Sequence, residues 1–191
     1  MKKHLPLLDA NASAGGASGG FGDLPDWALS DLYTAPDAPE RARDRAALET
    51  LCASFAADYQ GKLATLDAAA MAECIHRYEA IETTAGRIMS YAGLRYYQNT
   101  VDGARAKFLS DAQDRITAFT TPLVFFSLEF NRIDDATYEA VFADPAVARY
   151  KPVFDRMRAM KPYQLSDELE KFLHDQSVVG AAAWNRLFDE T

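Results

Sequence analysis

The chain has 191 residues, a length that suits one domain or a part of a larger protein. Hydrophobic residues make up 49% of it, which is enough for a packed core and excludes disorder over the whole length. The net charge of -8 makes nucleic acid an unexpected partner, because an acidic surface repels phosphates. The longest charge-free stretch, 116–128, is shorter than the roughly 20 residues of a membrane span. We therefore expect neither a nucleic-acid nor a membrane partner.

The amino-terminal part of the chain divides into a tail and an ordered lead-in. Residues 1–22 are rich in glycine, serine and alanine and predict a flexible tail. The folded domain is expected to cover 23–191. Its first segment, 24–33, is too irregular for a helix but carries apolar side chains suited to docking on a core, namely Trp27, Leu29, Leu32 and Tyr33.

Two helices are predicted next. Asp37 indicates a helix cap, Pro39 a helix start and Gly61 a stop, so the first helix runs over about 38–60. The second runs from near Asp67 to near Asn99, a rod of about 45 Å. Apolar residues recur in both at spacings of three and four, which predicts core-facing stripes. These are Leu48, Leu51, Cys52, Phe55 and Tyr59, then Met71, Cys74, Ile75, Tyr78, Ile81, Ala85, Ile88, Ala92 and Tyr96.

Two glycines interrupt the long helix. Gly86 and Gly93 lie seven residues apart on one face. Because neither has a side chain, we expect a neighbouring helix to pack closely against this face.

The remaining chain predicts further helices. Asp102 opens the third, which Pro122 should kink, and the apolar stretch 119–130 is interpreted as helix because the chain offers it no partner strand. Asp134 and Asp135 cap a short helix that ends at Phe142. Pro145 begins a helix that Pro152 disturbs, Ser166 caps one that reaches His174, and the last begins near Gly180. No alternating strand pattern appears, so the predicted class is all-α, with antiparallel helices joined by short loops.

The two cysteines bear on the cellular compartment. Cys52 and Cys74 are too few for a disulfide framework, and both lie on predicted apolar stripes, which indicates buried thiols in a reducing compartment. Pro6 and Asp9 interrupt the apolar stretch that a signal peptide would need. We therefore expect a cytoplasmic protein.

The residues alone identify no catalytic or metal site. Glu73 and His76 form an E-x-x-H pair, which occurs twice in carboxylate-bridged di-metal proteins, but the second pair is absent here. Glu170 and His174 could share one ion, but two ligands do not make a zinc site, and we interpret them as surface residues. The chain contains no H-E-x-x-H motif. A metal protein that uses Glu73 and His76 stays open as a third hypothesis.

A family resemblance rests on several segments in order. These are LPDWALSDLY (24–33), GKL (61–63), IMSYAGL (88–94), LSDELEK (165–171), SVVG (177–180) and AWNRLFDE (183–190). Together they resemble the amino-terminal portion of oligoendopeptidase F, a zinc metallopeptidase of the thimet oligopeptidase family. The resemblance covers nearly all of the chain from Leu24 to Thr191.

The resemblance implies a helical, non-catalytic amino-terminal domain of an enzyme that cleaves short peptides. In that family an H-E-x-x-H motif and a further glutamate hold zinc. The resemblance therefore implies that the zinc of the parent enzyme is bound outside this chain. It also implies that this chain is inactive alone. We expect this domain to pair with the missing carboxy-terminal catalytic domain. We also expect its helices to form one wall of the substrate channel. Candidate peptide contacts near the end of the long helix are Tyr91, Arg95, Tyr96 and Tyr97. The alternative is a free-standing helical interaction module without enzymatic activity.

Overall fold

The computed structural model describes residues 27–190, of which side chains are described as far as Phe188. The described residues form helices and turns without a strand, which confirms the predicted all-α class. The predicted tail, 1–22, lies outside them. The eight α-helices are α1 (Pro39–Tyr59), α2 (Ala68–Tyr97), α3 (Gly103–Thr120), α4 (Phe125–Arg132), α5 (Asp135–Phe142), α6 (Lys151–Arg158), α7 (Asp167–Gln176) and α8 (Ala181–Glu190).

Helices α1 and α2 form an antiparallel pair. Arg77 binds Asp58 near one end of the pair at 2.8 Å, and Arg87 binds Asp44 near the other at 3.1 Å. The predicted stripe of α2 faces the core, because its members are buried except Tyr78, which is half-buried. The last two members, Ala92 and Tyr96, pack with residues of α3. Helix α3 returns along α2, since Arg105 near its start donates to the carbonyl oxygen of Arg95 near the end of α2.

An aromatic cluster forms the centre of the core. Phe130 of α4 stacks on Phe154 of α6 with ring centroids 4.2 Å apart, and it meets Phe142 of α5 edge to face at 5.8 Å. Phe126 contacts the ring of Phe55 on α1 at 5.7 Å. Such aromatic pairs contribute beyond the area they bury. The short helices α4, α5 and α6 are therefore joined to the long pair through α4.

Most predicted helix starts are confirmed. Four predicted capping side chains accept a hydrogen bond from a backbone N–H of the helix that they precede, namely those of Asp67, Asp102, Asp134 and Ser166. The exception is Asp37. The residue that precedes α1 is Ala38, which makes no side-chain cap, and Pro39 alone marks the start.

The prolines act differently from the prediction. Pro122 does not kink a continuing helix, because α3 ends at Thr120, a short 3₁₀ turn covers Leu123, and α4 begins at Phe125. Pro152 does not disturb a helix either. It occupies the first turn of α6, where the missing N–H of proline would have no intrahelical partner. The helix predicted from Pro145 is replaced by a 3₁₀ turn over Ala148–Tyr150 that leads into α6.

Two packing predictions are wrong. A Cβ atom at Gly86 would meet no atom within 4 Å, and one at Gly93 would meet only a Tyr97 ring carbon at 3.8 Å, so no neighbouring helix packs against these glycines. In the lead-in, Leu29, Leu32 and Tyr33 pack on the core as expected, but Trp27 is 54% exposed. The open space beside Gly86 belongs to a cleft.

Candidate functional site

A cleft of about 670 Å³ lies between α2, α3, α4 and α7. Its walls are mainly apolar, with carboxylates and an imidazole at their edges. A cleft of this size falls in the range that accommodates a small ligand or a short peptide segment. The lining residues are Tyr78, Glu82, Ala85, Gly86, Met89, Ile116, Thr120, Leu123, Val124, Ser127, Glu170, Leu173 and His174.

One wall of the cleft is built by α2. Tyr78 stacks on the ring of Phe126 at 4.3 Å, which fixes its orientation. Burial of the phenol, together with the negative charge of Glu82 one turn later, raises the pKa of Tyr78 well above its usual value. The Tyr78 hydroxyl is therefore neutral at any physiological pH.

The opposite wall is built by α7. Glu170 and His174 lie one turn apart and both line the cleft, half-buried. Their interpretation as plain surface residues is therefore corrected. Glu170 Oε1 accepts from the backbone N–H of Leu165 at 2.9 Å, and His174 Nε2 lies 3.1 Å from Thr120 Oγ1. These bonds hold both side chains toward the protein rather than toward solvent.

Helix α7 is attached to the fold mainly by polar contacts. Arg132 binds Asp167 at its start, with Nη1 3.2 Å from Oδ2, and Thr121 donates to Asp175 at its end. No residue of α7 is fully buried. Because polar surface contacts stabilise less than apolar burial, α7 is expected to open more readily than the core helices.

Both carboxy-terminal helices present apolar stripes to solvent. The spacing of three and four residues places each set on one side of its helix. Trp184 is 71% and Phe188 is 82% exposed, unusual values for such large apolar side chains. We call these sets the α7 stripe and the α8 stripe, and their members are Leu169, Phe172 and Leu173, then Trp184, Leu187 and Phe188. Such clustering is typical of surfaces that another molecule or domain covers.

The four predicted peptide contacts do not share one environment. Tyr91 is 3% exposed and packs edge to face on Tyr33 at 5.4 Å, and Tyr96 is 1% exposed. Both side chains belong to the core, and peptide contact by either of them stays a prediction. Tyr97 is 55% exposed, and the half-buried Arg95 places its guanidinium 5.9 Å from the ring centre of Phe108. Peptide contact by Tyr97 and Arg95 stays a prediction.

The described residues contain no group of three or more His, Cys, Asp or Glu side chains that could hold a metal ion. Glu73 and His76 are exposed on α2, where the imidazole of His76 lies 6.0 Å from the ring of Tyr150. These two residues belong to no group of three possible metal ligands in the described part of the chain.

The fold and these surfaces define an all-α domain with an unassigned cleft and exposed carboxy-terminal stripes. Residues 129–191, about a third of the chain, match a family model for the amino-terminal domain of M3 peptidases, described as Oligopeptidase F. The match confirms, for this segment, the resemblance to the amino-terminal domain of oligoendopeptidase F. The resemblance of the segments before residue 129 stays a prediction. No curated protein and no solved structure gives a significant match to the chain.

Among residues 27–190, no helix is both long and apolar enough to cross a membrane.

Sequence reasoning missed two polar side chains, Asn131 and Gln164, that each have a buried oxygen atom without a hydrogen-bond partner among the described residues. Asn131 is buried in α4 and its Oδ1 atom accepts no hydrogen bond, and the same holds for Oε1 of the half-buried Gln164. One signal in the sequence indicated the burial of Asn131, which is that this polar residue directly follows the largely apolar stretch 123–130. Asn131 and Gln164 are separated by 32 residues in the sequence, so no local pattern shows that they line the same cavity.

Proposed function

We propose that this chain is the non-catalytic amino-terminal domain of a zinc-dependent oligoendopeptidase that hydrolyses short peptides. The observation that carries the proposal is the match of residues 129–191 to the oligopeptidase F model. The same segment contains the α7 and α8 stripes, which gives it a surface suited to contact with a second domain. Zinc and the residues that activate water would then lie in that second domain.

In this proposal the helices form one wall of the peptide channel. A rigid wall excludes folded proteins and holds a short peptide in place, and it leaves bond cleavage to the metal site. The cleft between α2 and α7 offers apolar walls with carboxylates, a surface that could contact peptide side chains away from the cut bond. The parent enzyme is proposed to act in the cytoplasm, where free thiols such as those of Cys52 and Cys74 persist.

The docking part of the proposal can be tested with the catalytic half of an oligopeptidase F that lacks its own amino-terminal domain. We expect the chain to bind this fragment in a calorimetric titration. Replacement of Trp184 and Phe188 by serine should weaken binding at least tenfold, because the α8 stripe would lose most of its apolar contact area. The matched control is Val101→Ser, which removes an exposed apolar residue from the loop between α2 and α3. Equal weakening by the control, or no binding at all, would contradict the proposal.

A second candidate function is a free-standing helical interaction module, which the exposed α8 stripe also favours. In that case the surface would bind another protein or a second copy of the chain. Sedimentation analysis separates the two functions. Tight self-association that Trp184→Ser abolishes, without affinity for the catalytic fragment, favours the interaction module.

A further inference from the structure

A second cavity, about 320 Å³ in volume, lies between α4, the end of α6, the turn that follows α6, and α7. Leu128, Met157 and Met160 give it apolar walls, and Tyr163 adds an aromatic ring. Methionine side chains adapt to differently shaped apolar partners. The cavity is about ten times the volume that one water molecule occupies in the liquid, so a single bound water does not fill it.

Two oxygen atoms on the residues that line this cavity are buried and accept no hydrogen bond, namely Asn131 Oδ1 and Gln164 Oε1. Asn131 is 5% exposed. Gln164 is held in place because its Nε2 donates to the carbonyl oxygen of Leu128 at 3.3 Å, which leaves Oε1 as the unused acceptor. A buried acceptor without a donor destabilises a fold, and native structures rarely retain one without a reason.

The cavity also carries negative charge. Glu170 lines it, and the hydrogen bond from the backbone N–H of Leu165 occupies only Oε1 of this carboxylate. Three of the lining residues, Asn131, Gln164 and Glu170, therefore contribute at least three side-chain oxygen acceptors, and Glu170 adds a negative charge. Both amide oxygens are shielded from solvent in the free chain, so a ligand in the cavity reaches them only when the soft terminal torsions of Asn131 and Gln164 rotate. For Gln164 this rotation gives up the bond to Leu128 in exchange for a bond to the ligand.

We infer that this cavity binds a primary ammonium group carried on an aliphatic chain. An ammonium has three N–H donors and no acceptor, which matches the acceptors of Asn131, Gln164 and Glu170. Its aliphatic stem would lie against Met157, Met160 and Leu128, and the Tyr163 ring can attract the cation. The inference does not rest on the proposed function, because it concerns this chain alone.

A lysine side chain and the free α-amine of a peptide both carry such a group, and binding measurements on the whole chain distinguish them. The first probe is Nα-acetyl-lysine methylamide, with the norleucine analogue as a control that has the same stem without nitrogen. The second is a leucine peptide with a free amine, compared with its acetylated form. We expect calorimetric binding of at least one amine and at least tenfold weaker binding of its control, because charged hydrogen bonds are lost. Equal binding of amine and control, or no binding of either amine, would overturn the inference and leave ordered water as the occupant.

Variants assign the site. Glu170→Gln keeps the shape of the side chain and removes its charge, so it should weaken amine binding about tenfold. The matched control Glu168→Gln, an exposed carboxylate on the same helix that does not line the cavity, should leave binding unchanged. Asn131→Leu should also weaken binding but leave the unfolding midpoint of the free chain unchanged or raised, because it removes an unpaired buried oxygen. A lower midpoint, or equal effects of the two glutamate variants, would contradict the assignment.

Discussion

His174 Nε2 on α7 lies 3.1 Å from the hydroxyl oxygen of Thr120 at the end of α3. The Thr120 hydroxyl also lies 2.9 Å from the carbonyl oxygen of Ile116 and has one hydrogen, which it donates to that carbonyl. With that hydrogen directed to the carbonyl, the hydroxyl oxygen can accept a hydrogen bond from Nε2 of His174. This contact joins α7 to the end of α3 beside the cleft.

Removal of this contact should loosen α7 without affecting the core. Thr120→Val keeps the side-chain volume but loses the acceptor for His174, so exchange of the α7 amide hydrogens should become about threefold to tenfold faster. Hydrogen exchange followed by mass spectrometry measures this. Thr84→Val is the control, because Thr84 makes the same bond to a carbonyl four residues earlier but does not contact α7. Uniform acceleration in both variants would show that the effect is not specific to the Thr120 contact.

The ion pair at the start of α7 predicts a pH dependence. The hydrogen bonds from Arg132 hold the pKa of Asp167 below its usual value. A carboxylate with a lowered folded-state pKa stabilises the fold above its unfolded pKa, and this contribution is lost as the pH falls through the folded pKa. The attachment of α7 should thus weaken below about pH 4, by a small amount because both groups are half exposed.

Carboxyl carbon shifts recorded by NMR during an acid titration test this effect. Arg132→Gln should return the pKa of Asp167 toward its usual value, whereas Arg156→Gln, on the exposed surface of α6, should not change it. An unchanged Asp167 titration in Arg132→Gln would refute the assigned cause.

The contrast between two phenylalanines tests which helices form the core. Phe130 is fully buried in the aromatic cluster, and Phe130→Ala should lower the free energy of unfolding by about 3–5 kcal/mol. Phe172 of the α7 stripe is 56% exposed, and Phe172→Ala should change the free energy of unfolding by less than about 1 kcal/mol. Urea denaturation measures both. Similar costs for the two variants would mean that the α7 stripe is covered within this chain.

The two thiols should be inert in the folded chain. Burial raises the pKa of Cys52 to about 11 and that of Cys74 to about 12, so neither forms the reactive thiolate near neutral pH. Labelling with a disulfide reagent at pH 8 should require unfolding. A third thiol introduced by Ser90→Cys on the exposed side of α2 should react at once. Rapid labelling of the unmodified chain would contradict the burial of Cys52 and Cys74.

The helices were predictable because their signals are local. A capping side chain such as Asp102 and a stripe repeated every three or four residues depend only on neighbours in sequence. The effects of Gly86 and Pro122 were not predictable, since each depends on what the chain places beside that residue in space. Periodicity placed Tyr96 on the core-facing stripe of the long helix, which burial confirms. Tyr91 lies outside that stripe, and periodicity did not reveal that α3 and the lead-in would bury it.

The candidate sites were less predictable than the helices. The large cleft and the smaller cavity are formed by residues from several helices, and a pattern within one segment does not report such proximity. The apolar stripes of α7 and α8 were visible in the sequence, but their exposure was not, because the same spacing is typical of a core-facing helix.

Hydrolysis of a quenched fluorescent peptide, measured with added zinc, tests the central claim most directly. The purified chain should hold no stoichiometric zinc and release no fluorescence, because it lacks an H-E-x-x-H motif. A longer polypeptide that continues from this chain into an H-E-x-x-H region should bind one zinc ion and cleave the peptide. Zinc-dependent turnover by the 191-residue chain alone would contradict the claim that it is a non-catalytic domain.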